Sequence, residues 1–268
     1  MASRIVTICL VKNEDIYLSR AINNIIEFSD DIIIADNNSS DQTGSIAKHL
    51  SAINAKVQYH CIDDPSVSHD LILPYVGTDT WIFAVDGDEI YDPFGLVKLR
   101  EEIRNGNYKD YLMVYGNVLH CTELDLINKN AMGYLARPSR SMTKLYNFSQ
   151  IKEWSSDCSE RLHGGEAVYF NPDIVNKRFR FDYDYTWENS SFRCLHAVFL
   201  QRSSLDKKKH VGRLNIHDKL MMGRKRKLYN YVLKILGMNT VSSTKNEYYR
   251  RGDLVTKNVG TFFNDAVS

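Results

Sequence analysis

Four short apolar runs, at residues 5–11, 32–35, 57–60 and 81–85, recur through the first hundred residues with amphipathic stretches between them. That alternation dictates strands and crossover helices around a mainly parallel sheet. Parallel strands buried on both faces read as unbroken apolar segments, and Ile32-Ile33-Ile34-Ala35 is one. Between the first two runs, Leu18, Ala21, Ile22, Ile25 and Ile26 share a face at helical spacing, which predicts a helix over 14–28 with Asn13 as its cap. Beyond residue 105, segments at 111–118, 143–148 and 166–170 read as further strands. The expected fold class is α/β: a mainly parallel, Rossmann-like sheet flanked by helices.

A content of 43% hydrophobic and 25% charged residues over 268 excludes disordered and fibrous classes. No apolar run approaches the ~20 residues of a spanning helix, and residues 1–11 open on a strand where a signal peptide would have its basic and apolar regions, so a cytoplasmic location is expected. The five cysteines are scattered without CxxC spacing and read as reduced, buried residues. The net charge of +1 conceals an asymmetry: residues 201–268 hold 15 Lys+Arg against 5 Asp+Glu. Residues 214–236 read as a basic helix with Leu220, Met221, Leu228, Val232 and Leu233 as an apolar stripe, a C-terminal basic helical appendage. Its charge is read either as a solvated face or, at this density, as a surface that meets something anionic.

Chemistry concentrates at the ends of the apolar runs, where open parallel sheets collect ligands. Asp36 ends the second run and opens the polar loop Asp36-Asn37-Asn38-Ser39-Ser40-Asp41, an ordinary turn or a nucleoside-binding loop. Asp86-Gly87-Asp88-Glu89 follows Trp-Ile-Phe-Ala-Val. Two carboxylates there need a cation or hydrogen-bond donors unless the turn is solvated, and a hard divalent ion would take their oxygens together with a diphosphate.

Three segments, Ile-Cys-Leu-Val-Lys-Asn-Glu at 8–14, Ile-Ile-Ile-Ala-Asp-Asn-Asn-Ser-Ser-Asp-Gln-Thr at 32–43 and Phe-Ala-Val-Asp-Gly-Asp-Glu at 83–89, together resemble the family 2 glycosyltransferases of the GT-A fold. The resemblance implies a metal-dependent glycosyltransferase, with Mn²⁺ or Mg²⁺ as cofactor and a nucleotide-diphosphate sugar as donor. It places Val11, Asn13, Glu14, Asp36, Asn38 and Asp86 at the nucleotide sugar, and Asp88, with Asp86, at the metal; of His163 and His196, His196 is preferred as a further ligand to the metal or a donor to the diphosphate. Residues 1–200 become a GT-A catalytic domain, with 1–105 the nucleotide-sugar-binding half and 106–200 the acceptor half, and 201–268 a basic C-terminal helical extension.

More loosely, Lys144-Leu145-Tyr146, Trp154, Arg161-Leu162-His163-Gly164 and Leu195-His196 resemble the lipopolysaccharide-core transferase branch. Gly164 stands where that branch often has Glu after the His, which leaves Glu160, then Asp157 and Glu166, as candidate catalytic bases. After the third run, Ser68 and His69 stand where the family often has Arg. His163 and His196 are open to a plain reading as hydrogen-bonded core or loop residues. Trp154 and Trp187 are the candidate sugar-stacking aromatics.

Trp154, His163, Lys207, Lys208, Lys209, Arg224, Lys225, Arg226 and Lys227 are the expected acceptor-binding residues, and the segment from Arg202 to Lys227 is expected to serve the acceptor, not the donor. The acceptor is expected to be anionic: a bacterial surface glycan or lipid-linked sugar, with the basic helix against the inner membrane face, or hydroxymethylated bases of phage DNA. Other classes are a non-catalytic nucleotide-sugar-binding protein and a phosphatase-like hydrolase with Asp86 as nucleophile. The hydrolase is disfavoured because its paired aspartates would follow the first strand.

Overall fold

The computed structural model describes residues 3–141, 144–206 and 248–263. Along the first half run β1 (Arg4–Val11), α1 (Leu18–Ile25), β2 (Asp31–Asp36), α2 (Thr43–Ile53), β3 (Val57–Cys61), the single turn α3 (Val67–Asp70), β4 (Thr80–Asp86), β5 (Glu89–Tyr91) and α4 (Pro93–Arg104). The second half is richer in strands: β6 (Met113–Tyr115), β7 (Asn117–Asp125), β8 (Asn130–Leu135), β9 (Lys144–Asn147), β10 (Ile151–Trp154), β11 (Cys158–Glu160) and β12 (His163–Gly164). It closes with β13 (Ala167–Tyr169), β14 (Arg178–Arg180), the short α5 (Phe181–Asp184), β15 (Arg193–His196) and β16 (Leu254–Asn258).

Seven strands form the first sheet in the order β14-β6-β9-β4-β1-β2-β3, parallel except where β9 joins β6 to β4. The expected mainly parallel sheet is present. Its central strands are apolar on both sides because both faces are covered: Ile5, Ile32, Ile34 and Phe83 pack into one cluster, while Val6, Ile8, Ile33 and Ile82 pack into the other. The stripe Leu18, Ala21, Ile22 and Ile25 buries α1 against the first cluster. A second sheet of five strands runs β16-β8-β7-β15-β5. An aromatic knot ties the two sheets, with Phe83 of β4 4.7 Å from Tyr91 of β5 and 5.7 Å from Phe192 just ahead of β15.

Several local expectations are corrected. Asn13 does not cap α1, which begins after Tyr17. It takes a left-handed φ of 54° and accepts from the Ser40 N–H at 2.7 Å, so it closes the loop after β1 onto the loop after β2. The run at 111–118 is two strands in two sheets, because the chain leaves the first sheet after Tyr115 and enters the second at Asn117. Trp187 is 2% exposed and stacked on Phe262 at 5.8 Å, so it is core and offers no face to a sugar. The predicted helix at 214–236 lies outside the described residues. After residue 200, β16 pairs antiparallel with β8 and so completes the second sheet.

Gly133 of β8 marks the closest approach within that second sheet: a methyl group at its α-carbon would run into the backbone carbonyl of His120 on β7. Gly133→Ala is expected to lower stability by about 2–4 kcal/mol, through overpacking against backbone that cannot move aside. Thermal or urea denaturation of the variant against the parent measures it.

Candidate active site at the carboxyl edge of the parallel sheet

Parallel register sets Val11 of β1 beside Asp36 of β2, and Leu10 beside Asp86 of β4, so the sequence-predicted residues share one edge. Asp36 is buried, and its two oxygens accept from the Ser39 N–H at 3.0 Å and the Tyr59 hydroxyl at 3.3 Å. Burial, then the charge of Asp36, pushes the Tyr59 hydroxyl up to about 12. Asn38 also takes a left-handed φ, 48°, and its amide donates to Asp63 at 2.6 Å. Glu14 is fixed by its N–H donating to the Thr43 hydroxyl at 2.8 Å. Val11 and Asp36 thus end adjacent strands, and Asn13, Glu14 and Asn38 lie in the two loops that follow them.

Both aspartates of the Asp86-Gly87-Asp88 turn are met by arginines from distant parts of the chain. Arg161, in the β11–β12 turn, donates to Asp86 Oδ1 and to the Val85 carbonyl, each at 2.7 Å. Asp88 has no exposed surface, and its Oδ2 accepts from Arg202 at 2.7 Å, while the same Arg202 nitrogen reaches Glu14 Oε1 at 3.2 Å. Glu14 Oε2 accepts the Gly87 N–H at 3.0 Å, which closes the ring. Burial opposes charge on Arg161 and Arg202, but the carboxylates beside them outweigh it and raise both above the usual arginine value. Glu89 behaves oppositely: burial, then the neighbouring charge of Asp86, pushes its carboxyl up to about 8. Its Oε2 receives the Tyr91 hydroxyl at 2.8 Å and the Asp86 N–H at 3.2 Å.

The model of glycosyl transferase family 2 matches residues 7–208, which covers this whole edge. The chain belongs to that family. Uncharacterized glycosyltransferases of Rickettsia prowazekii and Rickettsia typhi are each 25% identical to it over 175 residues, 64% of this chain and 54% of theirs. The chain therefore spans about half the length of these curated relatives. Among solved structures, glucosyl-3-phosphoglycerate synthase from Mycobacterium tuberculosis is similar at a TM-score of 0.43 and 13% identity, over 89% of this chain and 82% of that one. A Pyrobaculum calidifontis mannosyltransferase in complex with GDP-Man and Mn²⁺ is similar at 0.38 and 12%, over 74% and 58%. Likeness at this level carries nothing about donor, acceptor or metal.

Within this family 2 edge, the remaining expected residues divide. His196 is buried on β15 with Nε2 3.7 Å from Asp88 Oδ2, so it does meet the aspartate turn. Glu160 also reaches the cluster: its Oε1 is 3.8 Å from the Arg161 guanidinium and 3.4 Å from His163 Nδ1, and Lys144 lies 3.4 Å from His163 Nε2. Asp157 and Glu166 are exposed on the same hairpin, and among the described residues no hydrogen bond or ion pair links their carboxylates to the aspartates. Trp154 donates its ring N–H to the Gly164 carbonyl at 3.2 Å and packs 5.2 Å from His69, bracing the hairpin. Lys207, Lys208, Lys209, Arg224, Lys225, Arg226 and Lys227 lie outside the described residues.

Arg202, expected at the head of the acceptor-binding segment, is buried against Glu14 and Asp88, because that buried pair draws a cation. Arg161 takes a place that sequence reasoning left open: its backbone N–H donates to the Ser68 hydroxyl at 2.9 Å, and His69 packs its Nδ1 against the Arg161 carbonyl. Ser68 and His69, which stand where the family often has Arg, thus hold the Arg161 backbone beside Asp86. His120 carried no sequence signal; it is buried with Nδ1 3.0 Å from His196 Nδ1, and burial, then His196, pushes it down to about 3. Among the described residues no three His, Cys, Asp or Glu side chains form a ready-made metal cage, and no helix is long and apolar enough to cross a membrane.

Gly87 is required by close approach: a β-carbon there would stand 2.7 Å from Glu14 Oε2 and 3.0 Å from Val11 Cγ1. Gly87→Ala is expected to lower stability by about 1–3 kcal/mol, since the added methyl pushes Glu14 off the Gly87 N–H and crowds Val11. A melting curve of the variant against the parent measures this.

Proposed function

We propose that this family 2 protein is a metal-dependent glycosyltransferase that moves a hexosyl-type sugar from a nucleoside-diphosphate donor to an anionic acceptor, a bacterial surface glycan or lipid-linked sugar. The observation that carries the reading is the convergence of Asp36, Glu14, Asp86 and Asp88 on one strand-end edge with Arg161, Arg202 and His196 turned into it. Asp36 and the loops after β1 and β2 serve the nucleoside, and Asp86, held by Arg161, serves the ribose or the donor sugar.

The residues suit a divalent ion. Asp88 and His196 Nε2 are an oxygen and a nitrogen donor 3.7 Å apart, a spacing that a shared cation can span. Among the described residues these two would be the protein ligands, and diphosphate oxygens and water would add to the shell. A carboxylate has lone pairs enough to accept from Arg202 and hold an ion as well, and the imidazole favours Mn²⁺ over Mg²⁺. When bound, the ion would neutralise charge on the leaving diphosphate.

In the reaction, the acceptor hydroxyl oxygen forms a bond to the anomeric carbon while the bond from that carbon to the diphosphate oxygen breaks, its electron pair leaving with the diphosphate. Arg202 and Arg161 add fixed positive charge beside that departure. Glu160, oriented by His163 and by the Arg161 guanidinium, takes the acceptor proton. The acceptor's anionic character rests on the surplus of Lys and Arg after residue 200.

Excess chelator, or Asp88→Asn, is expected to abolish transfer; the variant is expected to stay folded, with Glu14 still partnering Arg202, but to melt below the parent because it removes one charge of a buried pair. Full turnover in chelator would refute the metal. Of the three candidate bases, Glu160→Gln is expected to cost on the order of a hundredfold in turnover, with Asp157→Asn and Glu166→Gln near normal; a normal rate for Glu160→Gln would remove it from the chemistry.

A further inference from the structure

His120 and His196 occupy matched positions on adjacent parallel strands, β7 and β15, and meet nitrogen to nitrogen across them. Two Nδ1 atoms 3.0 Å apart share one proton, so one ring donates and the other accepts. The outer partner of His120 decides which. Its Nε2 lies 2.8 Å from the Arg140 carbonyl, which can only accept, so that nitrogen carries hydrogen. A second proton on its Nδ1 would make His120 an imidazolium with no exposed surface, stacked at 4.5 Å on the ring of Tyr249, with the carboxylate of Asp88 lying on the far side of His196. Charge in that position is costly. His120 Nδ1 is therefore the acceptor and His196 Nδ1 the donor.

The consequence falls on the other nitrogen of His196. With Nδ1 carrying hydrogen, the ring lone pair of a neutral His196 is on Nε2, and it is Nε2 that faces Asp88. We propose that His120 is a positioning residue that holds His196 in its Nδ1–H form and fixes its ring plane, so that Nε2 and the Asp88 carboxylate act as a divalent-cation pair for the donor diphosphate. Ligand histidines generally anchor their second nitrogen in this way, on a carboxylate or a carbonyl; here the anchor is another imidazole, itself pinned by a backbone carbonyl. The proposal rests on the metal-dependent reading of the site.

The test measures Mn²⁺ binding to the full chain by loss of the free-ion EPR signal, with Mn²⁺ alone and with UDP or GDP. The parent is expected to bind, and His196→Ala to lose binding. His120→Phe, which keeps a ring and removes the acceptor, is expected to weaken Mn²⁺ binding about 10- to 100-fold, and His120→Asn, whose amide oxygen can accept from His196, to recover much of it. Parent affinity in His120→Phe, alongside loss in His196→Ala, overturns the role of His120 and leaves the metal reading intact. Absence of Mn²⁺ binding by the parent, with either nucleotide, overturns both. A second measurement needs no variant: ¹⁵N chemical shifts of the parent's histidine rings are expected to show a protonated Nδ1 on His196, and an Nε2–H, Nδ1-bare form would overturn the proposal even if His120→Phe failed to fold.

Discussion

The buried ionic ring Glu14, Asp88 and Arg202, with its extension Asp86 to Arg161, is the constraint on which the rest of the site depends. Carboxylates at the ends of apolar strands cannot remain charged without donors or cations, and removing one partner from such a buried pair costs about 3–5 kcal/mol. The fold must therefore deliver two guanidinium groups to one edge of the sheet. It does so from opposite directions: Arg161 arrives on the β11–β12 turn over α3, and Arg202 arrives just after β15. The β11–β12 hairpin and the segment after β15 are thus each tied to the strand ends of the first sheet by an arginine.

That arrangement explains which parts of the site were legible in the sequence. Asp36, Asp86 and Asp88 could be read because Asp36 ends one apolar run and the Asp86-Gly87-Asp88 turn ends another, and an unbroken apolar run announces where its strand stops. Glu14 followed from its place in the loop after β1. Arg161, Arg202 and His120 could not be read, since their partners lie 75, 114 and 76 residues away and only the three-dimensional fold brings them together. The basic composition after residue 200 did not announce that Arg202 is buried, because a net charge count cannot tell a solvated arginine from a buried one. Asn13 was misread for a related reason: a cap and a left-handed loop residue share the same preference for Asn, and only the partner, Ser40, distinguishes them.

The fold itself was legible in its first half and less so in its second. β1 to β4 are local apolar runs joined by crossovers, whose order follows from simple chain rules. The break at Gly116, where one apparent strand becomes two in different sheets, is invisible to periodicity because both halves are apolar. Only the pairings, β6 with β9 and β7 with β15, reveal it.

The Asp86-Gly87-Asp88 turn is also the junction between the two sheets, since β4 ends at Asp86 and β5 begins at Glu89. Glu89 and His196 are paired in register across β5 and β15, and the Ala197 N–H donates to the Asp88 carbonyl at 2.9 Å. Any shift of the second sheet against the first therefore moves Asp88 and His196 together, while Asp36 and Asp86 stay with the first sheet. A buried Glu89 whose carboxyl is pushed toward the neutral form suits that junction. It accepts from Asp86 and Tyr91 across the turn without adding a further full negative charge beside Asp86 and Asp88, which would strain the same contacts that the two arginines relieve. The separation of roles follows from this geometry. Asp36 and Asp86 ride on the parallel sheet, Asp88 and His196 ride on the sheet junction, and the arginines couple the two.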